Sequence, residues 1–159
     1  MENDFLRELE FLGVTARLKR LSDTLSKHIK DLYKENNLEI EPSWHLIFLY
    51  LEKNGVSTMS EIAEALHFSQ PAITKMLNRM SNKGYIEVTR DKTDTRKKNI
   101  QLSKKAKKEF PEFLRVWNGG QKAVKQILRT NKHFLPALES FENQITAKSF
   151  NERAGKNIK

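Results

Sequence analysis

Apolar residues recur at helical spacing from the start of the chain: Phe5, Leu9 and Leu12, then Leu18, Leu21, Leu25, Ile29 and Leu32, with polar residues opposite. The spacing predicts one long helix over residues 5–36, ended by Asn36-Asn37. A helix of this length cannot hide such a stripe on itself, so another surface must cover it. Glu41-Pro42-Ser43 starts a second helix with proline near its first turn. Its body, from Trp44 to Lys53, is apolar almost all round and reads as the buried centre. Asn54-Gly55 closes it, the glycine suiting a left-handed cap.

The pattern then shortens. Ser57 or Thr58 can cap a helix reaching about Leu66, and Glu61 follows Thr58 at capping-box spacing. Ser69 caps another helix, with Pro71 in its first turn, ending at Asn82 before Lys83-Gly84. Tyr85 to Thr89 alternates as a strand does, and Asn99 to Leu102 is a second strand. Together they predict a hairpin with a nine-residue tip, Arg90 to Lys98. Ser103 caps a long helix towards Leu128. Pro111 predicts a kink in it. Gly119-Gly120 costs it about 2 kcal/mol relative to two alanines. That pair can be a hinge or a break into two helices, and a break is the favoured reading. Asn131 starts a last helix with Phe134, Leu138, Phe141 and Ile145 along one face, and the polar tail after Phe150 is expected to fray.

Charge sharpens this outline. Residues 69–108 hold twelve Lys/Arg against three Asp/Glu, a surplus of nine, which equals the surplus of the whole chain at 29 against 20. One helix–strand–turn–strand stretch thus carries all the net charge, as expected of a surface that meets a polyanion. A solvated lysine-rich face is the plainer alternative. Apolar residues are 38% and charged residues 31% of 159, which fits an elongated helical protein completed by a partner chain. The absence of cysteine excludes disulfides and thiolate metal sites. The acidic N-terminus is no signal peptide, and the longest apolar run, Leu46 to Leu51, is far too short to span a membrane. The expectation is a soluble, cytoplasmic protein without membrane contact.

Two short helices and a tight turn followed by a basic hairpin make a winged helix-turn-helix. Ala63 sits where the helices cross closely, and Ile62, Leu66, Phe68, Ile73, Leu77 and Met80 are the expected small core. Ile73, Met76, Leu77 and Met80 share one face of the second helix. At 100° per residue, Pro71, Lys75, Asn78 and Asn82 point the other way, with Gln70 and Thr74 alongside. Ser69, Gln70, Pro71, Thr74, Lys75, Asn78 and Arg79 are the candidate DNA contacts of this recognition helix, since such side chains reach base edges and phosphates in a major groove.

At this point the chain resembles the MarR family of bacterial transcription regulators, over nearly its whole length. The most specific stretch is Arg90-Asp91-Lys92-Thr93-Asp94-Thr95-Arg96 followed by Ile100-Gln101-Leu102-Ser103. Family wings read Asp-x-x-Asp-Arg-Arg and then a strand ending Leu-Thr or Leu-Ser. Asp94 and Arg96 match, whereas Thr95 replaces the first arginine. The resemblance implies a mainly α fold with a small β-hairpin wing, and a homodimer whose N- and C-terminal helices intertwine. It places a single MarR-like domain over 1–159, a DNA-binding region at 42–103 and dimerisation helices at 1–36 and 104–150. It implies that Arg96 enters the minor groove, oriented by Asp94, while Arg90, Lys92, Lys97 and Lys98 complete the wing contacts. The partner implied is double-stranded DNA, and repression at a pseudo-palindromic operator is the family's commonest mode.

Many relatives also bind a small aromatic or anionic effector where the reading head meets the dimer arms. Tyr33, Trp44, His45, Phe48, Phe113 and Trp117 fall on the bordering helices. They can line such a cleft or simply be core; core is the better reading for most, and His45 is the one to probe. His67 reads as a turn residue rather than a ligand, and no histidine pair has metal-ligand spacing. Neither a nucleophile elbow nor a phosphate loop nor a dinucleotide fingerprint appears, so no enzyme and no cofactor are expected. The competing function is a winged helix used for protein contacts with an acidic partner. A small-molecule binder without DNA function leaves the concentrated charge unexplained.

Overall fold

A computed structural model describes residues 4–90 and 98–158. The elements are α1 (Phe5–Glu8), a 3-10 turn (Glu10–Gly13), α2 (Val14–Glu35), α3 (Trp44–Asn54), β1 (Ser57–Thr58), α4 (Met59–Leu66), α5 (Gln70–Asn82), β2 (Ile86–Arg90), β3 (Lys98–Leu102), α6 (Lys104–Ile127), α7 (Phe134–Ala147) and α8 (Phe150–Gly155). The fold is mainly α with a small antiparallel sheet in the order β1-β3-β2. The chain forms two compact units, the first running to Val116 and the second starting at Trp117.

The first unit holds the core. Trp44, Ile47, Phe48 and Leu51 bury one face of α3, while Leu49 on the other face is 42% exposed. Its centre is therefore amphipathic, not apolar all round. Tyr85 meets Trp44, Phe48 and Phe113 edge-on or tilted, with ring centroids 5.5–6.0 Å away, and Phe48 lies 5.1 Å from Phe113. Such offset contacts add to simple area burial. Gly55 ends α3 at φ 72° and ψ −134°, outside the left-handed helical well expected of it and in a region that a β-carbon makes costly.

The predicted helix over 5–36 is interrupted. Glu10 takes a left-handed φ of 44°, and the 3-10 turn folds α1 back beside α2. Asp4 caps α1 through Leu6 N–H at 3.2 Å and receives two hydrogen bonds from Arg20, at 3.0 and 2.6 Å. Gly13 permits the fold-back, because a β-carbon there would drive into the Leu6 carbonyl oxygen. Periodicity alone could not reveal this: both arms have helical spacing, and the ion pair that spans the fold-back joins residues sixteen apart. Asn36 does cap α2, with Asn37 left-handed at φ 58° after it.

In the second unit, α7 carries Phe134, Phe141 and Ile145 exposed along one face, with Leu138 half-buried between them. Two expectations fail towards the C-terminus. Gly119-Gly120 does not break the helix: α6 runs unbroken from Lys104 to Ile127, also past Pro111. Glycine lowers helix stability without forbidding helical dihedrals, and Gln121 and Lys122 after the pair are good helix formers. The tail after Phe150 is not simply frayed, since Ser149 and Glu152 form a capping box that starts α8.

Candidate nucleic-acid interface

The two helices of the helix-turn-helix, α4 and α5, are set by their caps. Thr58 and Glu61 close the expected capping box: Thr58 N–H donates to Glu61 Oε2 at 2.7 Å, and Glu61 N–H to Thr58 Oγ1 at 3.3 Å. At the other end of α4, His67 adopts the left-handed conformation, φ 53° and ψ 35°. Phe68 N–H then reaches back to the Ala63 carbonyl at 3.1 Å, a six-to-one closure that reverses the chain without glycine. Ser69 caps α5 by accepting from Ala72 N–H at 3.4 Å, with Pro71 in the first turn.

One stripe of α5 is buried: Ile73, Leu77 and Met80, with Met76 half-buried. Ile62 and Ala63 of α4 complete this core. Leu66 is only half-buried and Phe68 is 42% exposed, so neither is the core residue that its hydrophobicity suggested. The chain reverses at His67, which turns Phe68 outward. On the opposite face of α5, Gln70, Pro71, Thr74, Lys75, Asn78, Arg79 and Asn82 are exposed and line one shallow hollow together with Met59 of α4. Ser69 stands exposed at its N-terminal edge. The seven recognition-helix candidates thus lie together at the surface. Met59 was not anticipated, because from sequence it is simply the first residue of a helix. Its Sδ lies 3.0 Å from the Thr74 hydroxyl, which also donates to the Gln70 carbonyl at 2.8 Å.

β2 and β3 pair antiparallel from Ile86↔Leu102 to Arg90↔Lys98. Ser57↔Ile100 and Thr58↔Asn99 add β1 on the other side, a third strand too short to be signalled by alternation. Arg90 and Lys98 are exposed at the end of the stem. Lys92, Asp94, Arg96 and Lys97 lie outside the described residues.

The base of the hairpin is tied to both neighbouring helices. Gly84, at φ 75°, turns the chain from α5 into β2. Ser103 donates its hydroxyl to the Gly84 carbonyl at 2.7 Å, accepts from Ala106 N–H at 3.1 Å, and donates its own N–H to the Tyr85 carbonyl at 3.0 Å. Lys105 caps the Lys83 carbonyl at 3.0 Å with its ammonium 4.2 Å above the Tyr85 ring. Tyr85 donates its hydroxyl to Glu109 at 3.1 Å. Burial pushes its phenol well above the ordinary value, and the Glu109 carboxylate pushes the same way. It therefore stays a neutral donor. From sequence alone Tyr85 shows only as a strand residue and Ser103 only as a cap.

Of the six effector candidates, Trp44, Phe48 and Phe113 come together, but as the closed aromatic core around Tyr85, at 3%, 0% and 1% exposure. Tyr33 is equally buried. His45 is half-buried, its Nδ1 2.6 Å from the Pro42 carbonyl, and Trp117 is half-buried in the second unit. Among the described residues, no cluster of His, Asp or Glu is placed to hold a metal ion, and no helix is long and apolar enough to cross a membrane.

Comparison with known proteins gives three findings. Residues 38–97, which include α3, β1, α4, α5 and β2, match the model of the MarR family. Similar folds occur in reduced AbfR bound to DNA (TM-score 0.69, 20% identity, 92% of this chain and 98% of that one) and in the S. aureus MepR–DNA complex (TM-score 0.67, 19% identity, 84% and 96%). A mutant MarR from E. coli complexed with operator DNA is also similar (TM-score 0.64, 19% identity, 90% and 99%). No curated protein matches the sequence.

Proposed function

We propose that this chain, which has the fold of the MarR-family winged-helix regulators and matches that family over residues 38–97, is a sequence-specific DNA-binding transcription regulator. The observation that carries the reading is the outer face of α5. Its polar and basic side chains stand exposed in one hollow on a helix whose other face is locked into the core. A helix so presented can enter a major groove about 12 Å wide. Gln70, Thr74, Lys75, Asn78 and Arg79 are then the groove contacts, and Ser69 and Pro71 set the helix start against the backbone. Arg90 and Lys98 bring the wing to the flanking phosphates. In this reading Arg96 enters the minor groove with Asp94 orienting it, and Lys92 and Lys97 meet phosphates.

The regulator acts as a homodimer. The exposed apolar residues of α2 (Leu18, Leu21 and Leu25) and of α7 (Phe134, Phe141 and Ile145) support this, since each stripe needs a covering surface. A two-fold dimer binds a pseudo-palindrome with half-sites about one helical turn apart, and repression by occlusion of the promoter is the expected mode. An aromatic or anionic effector would have to engage half-buried His45, because the neighbouring aromatics are packed against one another.

Selection of genomic fragments by the purified protein at about 150 mM salt tests the reading. Recovery of a pseudo-palindrome supports it. Binding that is salt-sensitive and sequence-blind would overturn it in favour of a winged helix serving protein contacts. At the recovered site, Arg96→Ala should weaken binding by about 1–3 kcal/mol, and unchanged affinity would refute the wing assignment.

A further inference from the structure

Thr74 lies in the middle of the exposed face of α5, flanked by Gln70, Lys75 and Asn78. A threonine hydroxyl has one proton and two lone pairs, and its rotation ordinarily lets it donate or accept as the partner demands. Here two protein acceptors compete for that proton. The hydroxyl is aimed at the Gln70 carbonyl, 2.8 Å away, and at the Met59 thioether sulfur, 3.0 Å away. Both are acceptors only. A proton on either bond is engaged by a group of the protein itself, which leaves the lone pairs as what the hydroxyl offers a ligand. Among the described residues no donor occupies the oxygen's lone pairs, and the side chain is exposed.

We propose that Thr74 is a specificity-determining residue that reads its base as a hydrogen-bond acceptor. This rests on the DNA-binding reading above. In the major groove adenine and cytosine present an exocyclic amine, a donor, whereas guanine and thymine present a carbonyl oxygen, an acceptor. An outward lone pair bonds the amines and faces the carbonyls with nothing to give. Thr74 therefore favours the amino bases, A or C, over the keto bases, G or T, at one position in each half-site. Met59 matters because it gives the proton a second inward partner, so a rotation away from the helix carbonyl still leaves the lone pairs facing out. The neighbouring groups read differently: Lys75 and Arg79 are donors only, and the Gln70 and Asn78 amides can do either.

The test compares the full-length parent with Thr74→Val, which keeps the shape and removes the hydroxyl, and Thr74→Ser, which keeps the hydroxyl. Binding sites are selected for each. Thermal melting confirms that each variant folds. In the parent, one position per half-site should favour A or C over G or T by about tenfold, the usual scale of a single mismatch. Thr74→Val should flatten that position alone, and Thr74→Ser should retain it. Replacing the preferred base by an analogue without its exocyclic amine should weaken the parent and Thr74→Ser about tenfold, and Thr74→Val not at all. A Thr74→Val profile identical to the parent's overturns the proposal, as does a responsive position that prefers a keto base; both leave the regulator reading standing. Absence of any selected site in the parent overturns both.

Discussion

Removing one oxygen at Ser103 should loosen the joint between α5, the hairpin and α6. The hydroxyl is 7% exposed as a residue and serves two partners, the Gly84 carbonyl at 2.7 Å and Ala106 N–H at 3.1 Å. In Ser103→Ala the first turn of α6 loses its cap, which costs about 1 kcal/mol. The Gly84 carbonyl loses its donor as well. A fully buried carbonyl left so would add about 1–3 kcal/mol, but Gly84 is exposed and water can reach it, so the lower end applies. The sum is about 2 kcal/mol. With a urea dependence of about 2 kcal/mol per molar, the midpoint should fall by about 1 M. Ser103→Thr, which keeps the hydroxyl, should stay within about 0.3 M of the parent. A Ser103→Ala midpoint indistinguishable from the parent's would show that the hydroxyl ties nothing together.

Three further outcomes are expected. Gly13→Ala should open the fold-back of α1, because its β-carbon meets the Leu6 carbonyl; faster amide exchange over residues 5–9 checks this, and unchanged exchange would count against it. The bidentate hydrogen bond from Arg20 holds the Asp4 carboxyl below its ordinary value, so the folded form prefers the charged state. Its contribution is complete above the ordinary aspartate value of about 3.9 and is lost as pH falls through the lowered one. An NMR titration placing Asp4 at or above the ordinary value would contradict the contact. His67→Val should cost about 1–2 kcal/mol, since a β-branched side chain tolerates φ 53° poorly, whereas His67→Gly should not; urea midpoints of the two variants would decide.

Local chemistry made most of the reading head legible. Thr58 with Glu61, Ser69 with Pro71, and Lys83-Gly84 mark helix ends through groups only a few residues apart, and the helices begin and end there. The exposed face of α5 followed from its 3.6-residue period. Features that depend on distant partners were hidden. The turn at Glu10–Gly13 is closed by Arg20 meeting Asp4, sixteen residues away. Tyr85 gained its place by meeting Trp44 and Phe48 of α3 and Phe113 of α6. The aromatics suggested for an effector could not be told from core, because hydrophobicity draws both kinds of residue inward. Gly119-Gly120 misled because a propensity cost of about 2 kcal/mol is small beside what a 24-residue helix can absorb.

The register of the hairpin sets Arg90 directly opposite Lys98, two cations across the last described pair of the stem. Side chains so placed lie about 5 Å apart at their β-carbons, and like charges there repel by several tenths of a kcal/mol in water. Added salt screens that repulsion and so favours closure of the stem in the unbound protein. The same salt weakens attachment to a polyanion by competing for its phosphates. Ionic strength thus acts on the stem in two opposed ways, easing the repulsion between Arg90 and Lys98 while weakening any hold of the same two cations on a polyanion. A nucleic acid laid along the stem would neutralise both cations at once and so relieve the repulsion across a pair that the free protein holds closed against it.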